Sequence, residues 1–324
     1  NDESLFIIPR DAGFKDQNKL RKAINEIKSE GAKVIIGPIT NEDFNEASKF
    51  NDLVFISPSN ISPEFQSNII SIGISLESQL IALENFIKKQ NKKRTVVMYP
   101  NNQYAKLIED KIKNLSLNIR TFKYDPNPEV LTGEIETLTN YSQRKKNLEL
   151  RKKMFEDKED EQSVKELDRL EQLYTLGEVN FDSVIIVDFG SSLKSVLTSL
   201  VYTDVDQKKV LFTTVNQWFD ESIFYENTIK SLYYPSVNYK EFKKYNKNYY
   251  KKFNDNPNEI TILTYDALGL IYYTWKKNGN ITSINNFSFK NKIKGKMGTF
   301  SFKDRKVFQE LEIYKVENNK FTKF

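Results

Sequence analysis

The sequence predicts an α/β protein of two doubly wound, parallel-sheet lobes, with a helical-hairpin insertion and an antiparallel hairpin at its C-terminal end. Three observations predict it. The 324 residues suffice for two domains of ordinary size, each able to bury a core of its own. Apolar residues make up 39% of the chain and come in short runs separated by polar stretches, the pattern of an α/β protein. Strand-like and helix-like segments then alternate in two successive series, which requires mostly parallel sheets covered on both faces.

In the first series SLFIIPRD (4–11) reads as strand, NKLRKAINEIKSEG (18–31) as helix ending on Gly31, and AKVIIGP (32–38) as buried strand. NEDFNEASKFN reads as helix with Asn41 as its N-cap, and LVFISPSN as strand. Helix 75–90, strand 94–101 and helix 103–115 complete this lobe. The second series has strands at 118–126, 181–190, 208–216 and 229–237, with a helix after 190 and a long helical stretch from Tyr239 to Asn278. The end, from Met297, alternates with period two and breaks at KDR and ENNK, so it reads as antiparallel hairpin strands. The expected division is 1–117 with 236–298 for one lobe and 118–235 with 299–324 for the other.

Residues 134–175 lack strand character. Leu138, Tyr141, Leu148 and Phe155 share one helical stripe, and Val164, Leu167, Leu170 and Tyr174 another, with acidic EDKEDEQ between them. This is a helical hairpin: either a solvated decoration packed along its seam, or a docking surface for a partner protein.

Composition excludes much chemistry. The chain has no cysteine and no histidine, so disulfides, thiolate nucleophiles, imidazole bases and the usual zinc ligands are out of reach. Neither a P-loop, a G-x-S-x-G elbow nor a G-x-G-x-x-G turn occurs. The acidic groups at 157–161 lack a calcium loop's spacing and glycine. No cofactor or metal site is expected. The net charge of +5, from 49 basic and 44 acidic residues, reads as mixed along the chain without a basic block interleaved with aromatics, a solvated surface rather than a nucleic-acid footprint.

Ligands of open parallel sheets bind beyond the carboxyl ends of the strands. The candidates in the first lobe are therefore Pro38, Thr40 and Asn41, then Ser57, Ser59 and Asn60, then Asn101, Asn102 and Tyr104. In the second they are Asp188, Gly190 and Ser191, followed by Asn216 and Trp218. Hydroxyls, amides and aromatics with a single carboxylate are the vocabulary of recognition rather than acid–base work. Each residue also has a plain structural reading as a turn former, helix cap or core aromatic.

KVIIGP followed by VFISPSNISPEF resembles the Gly-Pro turn and Ser-Pro loop of leucine-binding-protein-like type I periplasmic binding proteins. TYDALGLIYY resembles their Tyr-Asp-Ala helix, and GKMGTFSFKDRKVFQELEIYKVENNKF their closing hairpin. Within that group, FIIPRDAG, TLTNYSQRKKNLE and the stretch from FDSVIIVDFG to VLFTTVNQW look most like the LppC-type lipoproteins known as penicillin-binding protein activators. The resemblance implies the type I periplasmic-binding fold with a ligand cleft between the lobes. It implies a non-catalytic, exported envelope protein in the periplasm, with a lipid anchor outside the given sequence as one option. The partner would be a small polar ligand, a peptidoglycan synthase or an ABC permease, and no nucleic acid. The alternative is the solute receptor of an ABC transporter.

Two departures matter. Receptors for branched-chain amino acids hold the ligand with a threonine in the Ser-Pro loop and an acidic residue at a second-lobe strand end; here Ile61 and Asn216 stand there. An amide in place of a carboxylate leaves a buried ammonium uncompensated. The resemblance also starts at the family's second strand, so a preceding segment is expected in the native protein, which an intact-mass measurement would reveal.

Overall fold

The computed structural model describes residues 6–13, 15–61, 68–225, 229–296, 298–303 and 306–324. Expectations for residues 4–5 of the opening strand, 62–65 of the Ser-Pro motif, residue 297 of the closing motif, residues 304–305 of its turn, and the capping role of the Asn41 side chain lie outside what is described.

The elements follow the apolar pattern closely. They run α1 (Gln17–Ser29), β1 (Val34–Ile36), α2 (Phe44–Ala47), β2 (Val54–Ser57), β3 (Ile69–Ser71) and α3 (Leu76–Lys89). Next come β4 (Thr95–Pro100), α4 (Ala105–Ile112), β5 (Ile119–Tyr124), α5 (Pro128–Leu138), α6 (Tyr141–Lys153) and α7 (Glu161–Glu171). Then β6 (Ser183–Ile186), α8 (Gly190–Tyr202), β7 (Leu211–Thr214), β8 (Leu232–Ser236), α9 (Tyr239–Phe253) and α10 (Glu259–Asn278) follow. The chain closes with β9 (Ile293–Lys294), β10 (Thr299–Lys303), β11 (Lys306–Glu310), β12 (Glu312–Glu317) and β13 (Lys320–Lys323).

Two compact units result: Asn1–Gln79 with Val237–Leu311, and Leu80–Ser236 with Glu312–Phe324. In the first, β1, β2 and β3 form a parallel sheet whose alternating residues feed two cores. Val54, Ile56 and Ile70 pack with Ala267 and Leu270 of α10 and with Phe300 and Val307 of β10 and β11. Phe55 and Ile69 point the other way, into Leu20 and Ile24 of α1 and Phe44 and Ala47 of α2. A sheet covered on both faces is what near-continuous runs such as VFIS encode.

The second unit is built on a seven-stranded sheet of order β13-β12-β8-β7-β6-β4-β5. β5, β4, β6, β7 and β8 are parallel, and β12 and β13 add antiparallel strands at one side. All six residues of β4 are buried. Its partners are β5 on one edge and β6 on the other.

Five expectations need correction. The described part of the opening strand, residues 6–11, is not in a sheet; Pro9 removes a ladder donor, and Arg10 ties the segment to α1 through Glu26 and Glu30. The lobe boundary falls at residues 79/80 rather than 117/118, because β4 hydrogen-bonds into the second sheet. The closing strands are shared: β10 and β11 belong to the first unit, β12 and β13 to the second. The Tyr239–Asn278 stretch is two helices, broken where Asn254 turns left-handed at φ 54°. Finally, the charge is not evenly mixed: α9, YKEFKKYNKNYYKKF, is a basic block interleaved with aromatics.

The insertion is resolved more finely than its sequence stripes implied. α5 is the crossover helix and packs on α8, so the added hairpin is α6 and α7. Leu148 and Leu170 fill its seam, whereas Val164 and Tyr174 are exposed. Its anchor is Arg144, which is 6% exposed. The guanidinium donates to the Gly177 and Thr203 carbonyls at 3.1 and 3.0 Å, and to the Asp204 carbonyl and Thr175 Oγ1 at 2.8 Å each. Burial lowers the Arg144 pKa from its ordinary value, and the Asp204 carboxylate opposes that shift. Arg144→Met strands three carbonyls without their donor, so urea unfolding should lose about 2–3 kcal/mol.

Glu46 of α2 is 1% exposed and accepts from Arg21 Nε and Nη2 at 2.5 and 2.9 Å and from Lys49 Nζ at 2.7 Å. Hydrogen bonds from Arg21 and Lys49 hold its pKa down at about 2, against burial. Since the folded value lies below the unfolded one, the stabilisation is complete above the ordinary carboxylate pKa of about 4.3 and disappears as pH falls toward about 2. Thermal melts across that window should show wild type losing more of its midpoint on acidification than Glu46→Gln.

Candidate functional site

Parallel strands place all their carboxyl ends at one edge of a sheet, and the expected residues gather there in two sets. At the edge of the three-stranded sheet lie Pro38, Thr40 and Asn41 after β1, and Ser57, Ser59 and Asn60 at and beyond the end of β2. At the edge of the seven-stranded sheet lie Asn101, Asn102 and Tyr104 after β4, Asp188, Gly190 and Ser191 after β6, and Asn216 and Trp218 after β7. Asn101, Asn102 and Tyr104 thus belong with the second set, not the first.

The first set is tightly laced. Ser57 Oγ donates to the Pro38 carbonyl at 2.5 Å and accepts from Ser59 N–H at 3.1 Å, while Ser59 Oγ accepts from Ile61 N–H at 3.2 Å. Ser71 Oγ donates to the Ile61 carbonyl at 2.9 Å. Thr40 Oγ1 donates to Asp43 Oδ2 at 2.6 Å. Asn41 opens a short 3₁₀ turn, Asn41–Asp43. The buried Ser57 hydroxyl is therefore a loop brace, while Asn60 is exposed.

The second set surrounds the point where the strand order reverses. From β4 the chain crosses to β5 on one side, then returns past β4 to β6 on the other. Such a switch point leaves a crevice beyond the strand ends, with no crossover helix above it. Asn101, Asn102 and Tyr104 flank it from β4 and are exposed. Asp188 flanks it from β6 and is already engaged: Tyr124 Oη and Ser192 Oγ each donate to Oδ2 at 2.5 Å, and Phe189 N–H donates to Oδ1 at 2.8 Å. Burial first, and then the Asp188 carboxylate, push the Tyr124 phenol far above its ordinary pKa, so it remains a donor. Gln217 Nε2 donates to the Asp188 and Val215 carbonyls at 3.0 and 3.1 Å, joining the β6 and β7 loops.

Beyond β7, Trp218 N–H donates to Asn216 Oδ1 at 3.0 Å. Trp218 and Phe219 both have positive φ, 50° and 60°, a conformation that costs about 1–3 kcal/mol per non-glycine residue. Phe219 holds the turn by burying its ring against Tyr314 and Phe321, at 5.0 and 5.4 Å, and so leaves Trp218 half-buried beside the strand ends. Sequence reasoning missed Tyr124, Ser192 and Gly73; Gln217 stands at a strand end that the sequence marks, between Asn216 and Trp218. Tyr124 closes β5, a strand end that was not among the expected candidates.

Gly73 shows how closely the first loop is built. A Cβ there would lie 2.3 Å from the Ser59 carbonyl oxygen and 2.5 Å from Asn60 N. Those are backbone atoms, so they must move. Gly73→Ala should unfold well below wild type and displace Ser59 and Asn60 in a crystal structure. Gly133, in α5 with nothing near its Cβ position, is the control: Gly133→Ala should gain about 0.5–1 kcal/mol.

Among the described residues no group of His, Cys, Asp or Glu could hold a metal ion, and no helix is long and apolar enough to cross a membrane. No protein-family model matches the chain, and no curated protein matches it. Solved structures do. An ABC transporter substrate-binding protein from Desulfitobacterium hafniense, in complex with leucine, matches with TM-score 0.60 at 15% identity, over 96% of this chain and 86% of that one. A leucine-, isoleucine-, valine-, threonine- and alanine-binding protein from Brucella ovis matches with TM-score 0.60 at 11% identity, over 95% and 80%. The C-domain of LpoA from Haemophilus influenzae, a regulator of PBP1A, matches with TM-score 0.56 at 10% identity, over 94% and 86%. The chain therefore has the fold of the leucine-binding-protein-like type I periplasmic binding proteins, the fold that its Gly-Pro, Ser-Pro and Tyr-Asp-Ala motifs led one to expect.

Proposed function

We propose that this chain is a non-catalytic, exported binding protein of the bacterial envelope. Its ligand site lies at the carboxyl edge of the seven-stranded sheet, around the β4/β6 switch point. The observation that carries this reading is the convergence there of exposed amides, hydroxyls and an aromatic with a carboxylate already taken by three donors. Such a surface recognises by hydrogen bonds and stacking, and it favours an uncharged polar ligand, such as an N-acetylated or amidated cell-wall fragment. A free amino acid would bring an ammonium group. Asn216 offers it an amide whose oxygen already serves Trp218 N–H, and Asp188 is committed to Tyr124, Ser192 and Phe189. That weighs against the amino-acid receptor of an ABC transporter.

A second reading places a protein partner, a peptidoglycan synthase, on the α6/α7 hairpin. Its support is the exposure of Leu150, Met154 and Val164, 49%, 58% and 45% exposed, on a hairpin that already has its own seam.

A thermal-shift screen tests the ligand site. At about a hundredfold excess over Kd, a ligand adds about 2.7 kcal/mol to native stability. Cell-wall fragments should raise the melting temperature, and Trp218→Ala should abolish that rise. Stabilisation by free leucine would restore the amino-acid receptor, and an undiminished shift in Trp218→Ala would remove the site from this edge. Pull-down of a synthase that Leu150→Lys with Met154→Lys abolishes would support the hairpin reading.

A further inference from the structure

We propose that the outer face of α9 is a docking surface for an anionic lipid bilayer. The inference stands apart from the ligand site, which is in the other unit. α9 carries six lysines and one glutamate, and none of its residues is buried. Lys240, Lys244, Lys247 and Lys251 recur at helical spacing, with Lys243 beside them, so the five make one stripe. All five are exposed. The stripe runs about 16 Å along the helix. The opposite face, Phe242, Tyr245 and Tyr249, is half-buried and turned toward α10, where the Tyr245 and Tyr265 rings lie 5.9 Å apart and Tyr245 Oη donates to the Thr261 carbonyl at 3.5 Å.

Neighbouring chain adds to the charge rather than cancelling it. Glu241, the one carboxylate of the helix, pairs with Lys296 at 3.1 Å, and Lys244 and Lys294 lie close enough to lower its pKa further. Residues 239–296 hold twelve lysines against four carboxylates. The hairpin region 141–171 holds nine basic and nine acidic residues, so it makes no such patch.

Three features select a bilayer among polyanions. The helix has lysine and no arginine; point charges on flexible stems suit a diffuse field of headgroups, whereas bidentate phosphate recognition favours arginine. Lysine is depleted from protein interfaces, which weighs against an acidic protein. For single-stranded nucleic acid a row of stacking rings must run beside the charges; Phe242, Tyr245 and Tyr249 lie on the half-buried side of the helix, and the two exposed rings, Tyr250 and Phe253, stand only at its end. Tyr250 and Phe253 are 51% and 55% exposed at the end of the helix; tyrosine is enriched at membrane–water interfaces, and an exposed phenylalanine beside it adds apolar surface.

The test is co-sedimentation of the full chain with phosphatidylcholine vesicles, with and without about 30% phosphatidylglycerol. Binding is expected only to the anionic vesicles, with release between about 0.1 M and about 0.5 M salt. Replacing Lys240, Lys243, Lys244, Lys247 and Lys251 together by Gln should weaken binding at least about tenfold, and replacing them by Arg should retain it. Replacing Lys145, Lys146, Lys153, Lys158 and Lys165 by Gln removes the same charge from the hairpin and should leave binding within about twofold. Equal losses in the two Gln variants, or no preference for anionic vesicles, would overturn the proposal. So would tighter binding to single-stranded DNA than to the anionic vesicles.

Discussion

The second unit depends on the pairing of β4 along both its edges. Its residues are buried on both faces, and its backbone groups are shared between β5 and β6. Unpaired backbone groups at that depth would be costly, so β4 holds its place only if both neighbours do. Side chains reinforce the strand at its start, where Thr95 and Ser183 share a hydrogen bond of 2.8 Å. Across its far end, Tyr124 of β5 reaches the Asp188 carboxylate after β6. The reversal of strand order that opens a binding crevice is a direct result of this double pairing.

The same arrangement decides what the edge can recognise. A carboxylate beside the start of α8 would by itself be a strong attractor of cations, yet Asp188 spends its oxygens on three donors. The candidate residues exposed around it, Asn101, Asn102, Tyr104, Gly190 and Ser191, are neutral. The turn beyond β7 adds rigidity, since two left-handed aromatics persist only because the Phe219 ring is packed among Tyr234, Tyr314 and Phe321. Groups fixed before a ligand arrives lose little freedom when it binds. The edge is thus prepared for shape and hydrogen bonding more than for charge.

How much of this the sequence disclosed varies with the kind of information. VFIS, TVVMYP and SVII are legible as strands because double burial leaves an uninterrupted apolar run. Alternation does not say which sheet a strand joins, so the residues of β4 read as part of the first lobe although they pair in the seven-stranded sheet. SLFII carries the same run, but its described part, residues 6–8, is not in a sheet, and Pro9 and the Arg10 ion pairs with α1 follow it directly. At the candidate site, position was legible and partnership was not. Strand ends can be counted along the chain, but Tyr124 and Asp188 are 64 residues apart, and only the sheet brings them together. Arg144 was hidden for the same reason: a basic residue in a charged helix reads as solvated until its carbonyl acceptors at Gly177, Thr203 and Asp204 are known.

α6 and α9 carry this point to charge. Each has six basic residues and one acidic residue, and composition cannot separate them. Their neighbours do. α6 sends Arg144 inward, and across the hairpin, residues 141–171, nine acidic residues match nine basic ones, eight of the acidic ones in the loop and α7 that follow α6. Arg144 is spent on holding the hairpin in place, and the remaining charge is balanced within the hairpin. α9 lies against the aromatic side of α10 and is followed by lysine-rich chain up to Lys296. Its charge has no such local use, and a field that is not cancelled within a Debye length acts on whatever approaches. A modest net charge of +5 therefore conceals one helix whose charge is balanced within its own hairpin and one whose charge its neighbouring chain does not balance, and the second is the one whose field reaches a partner.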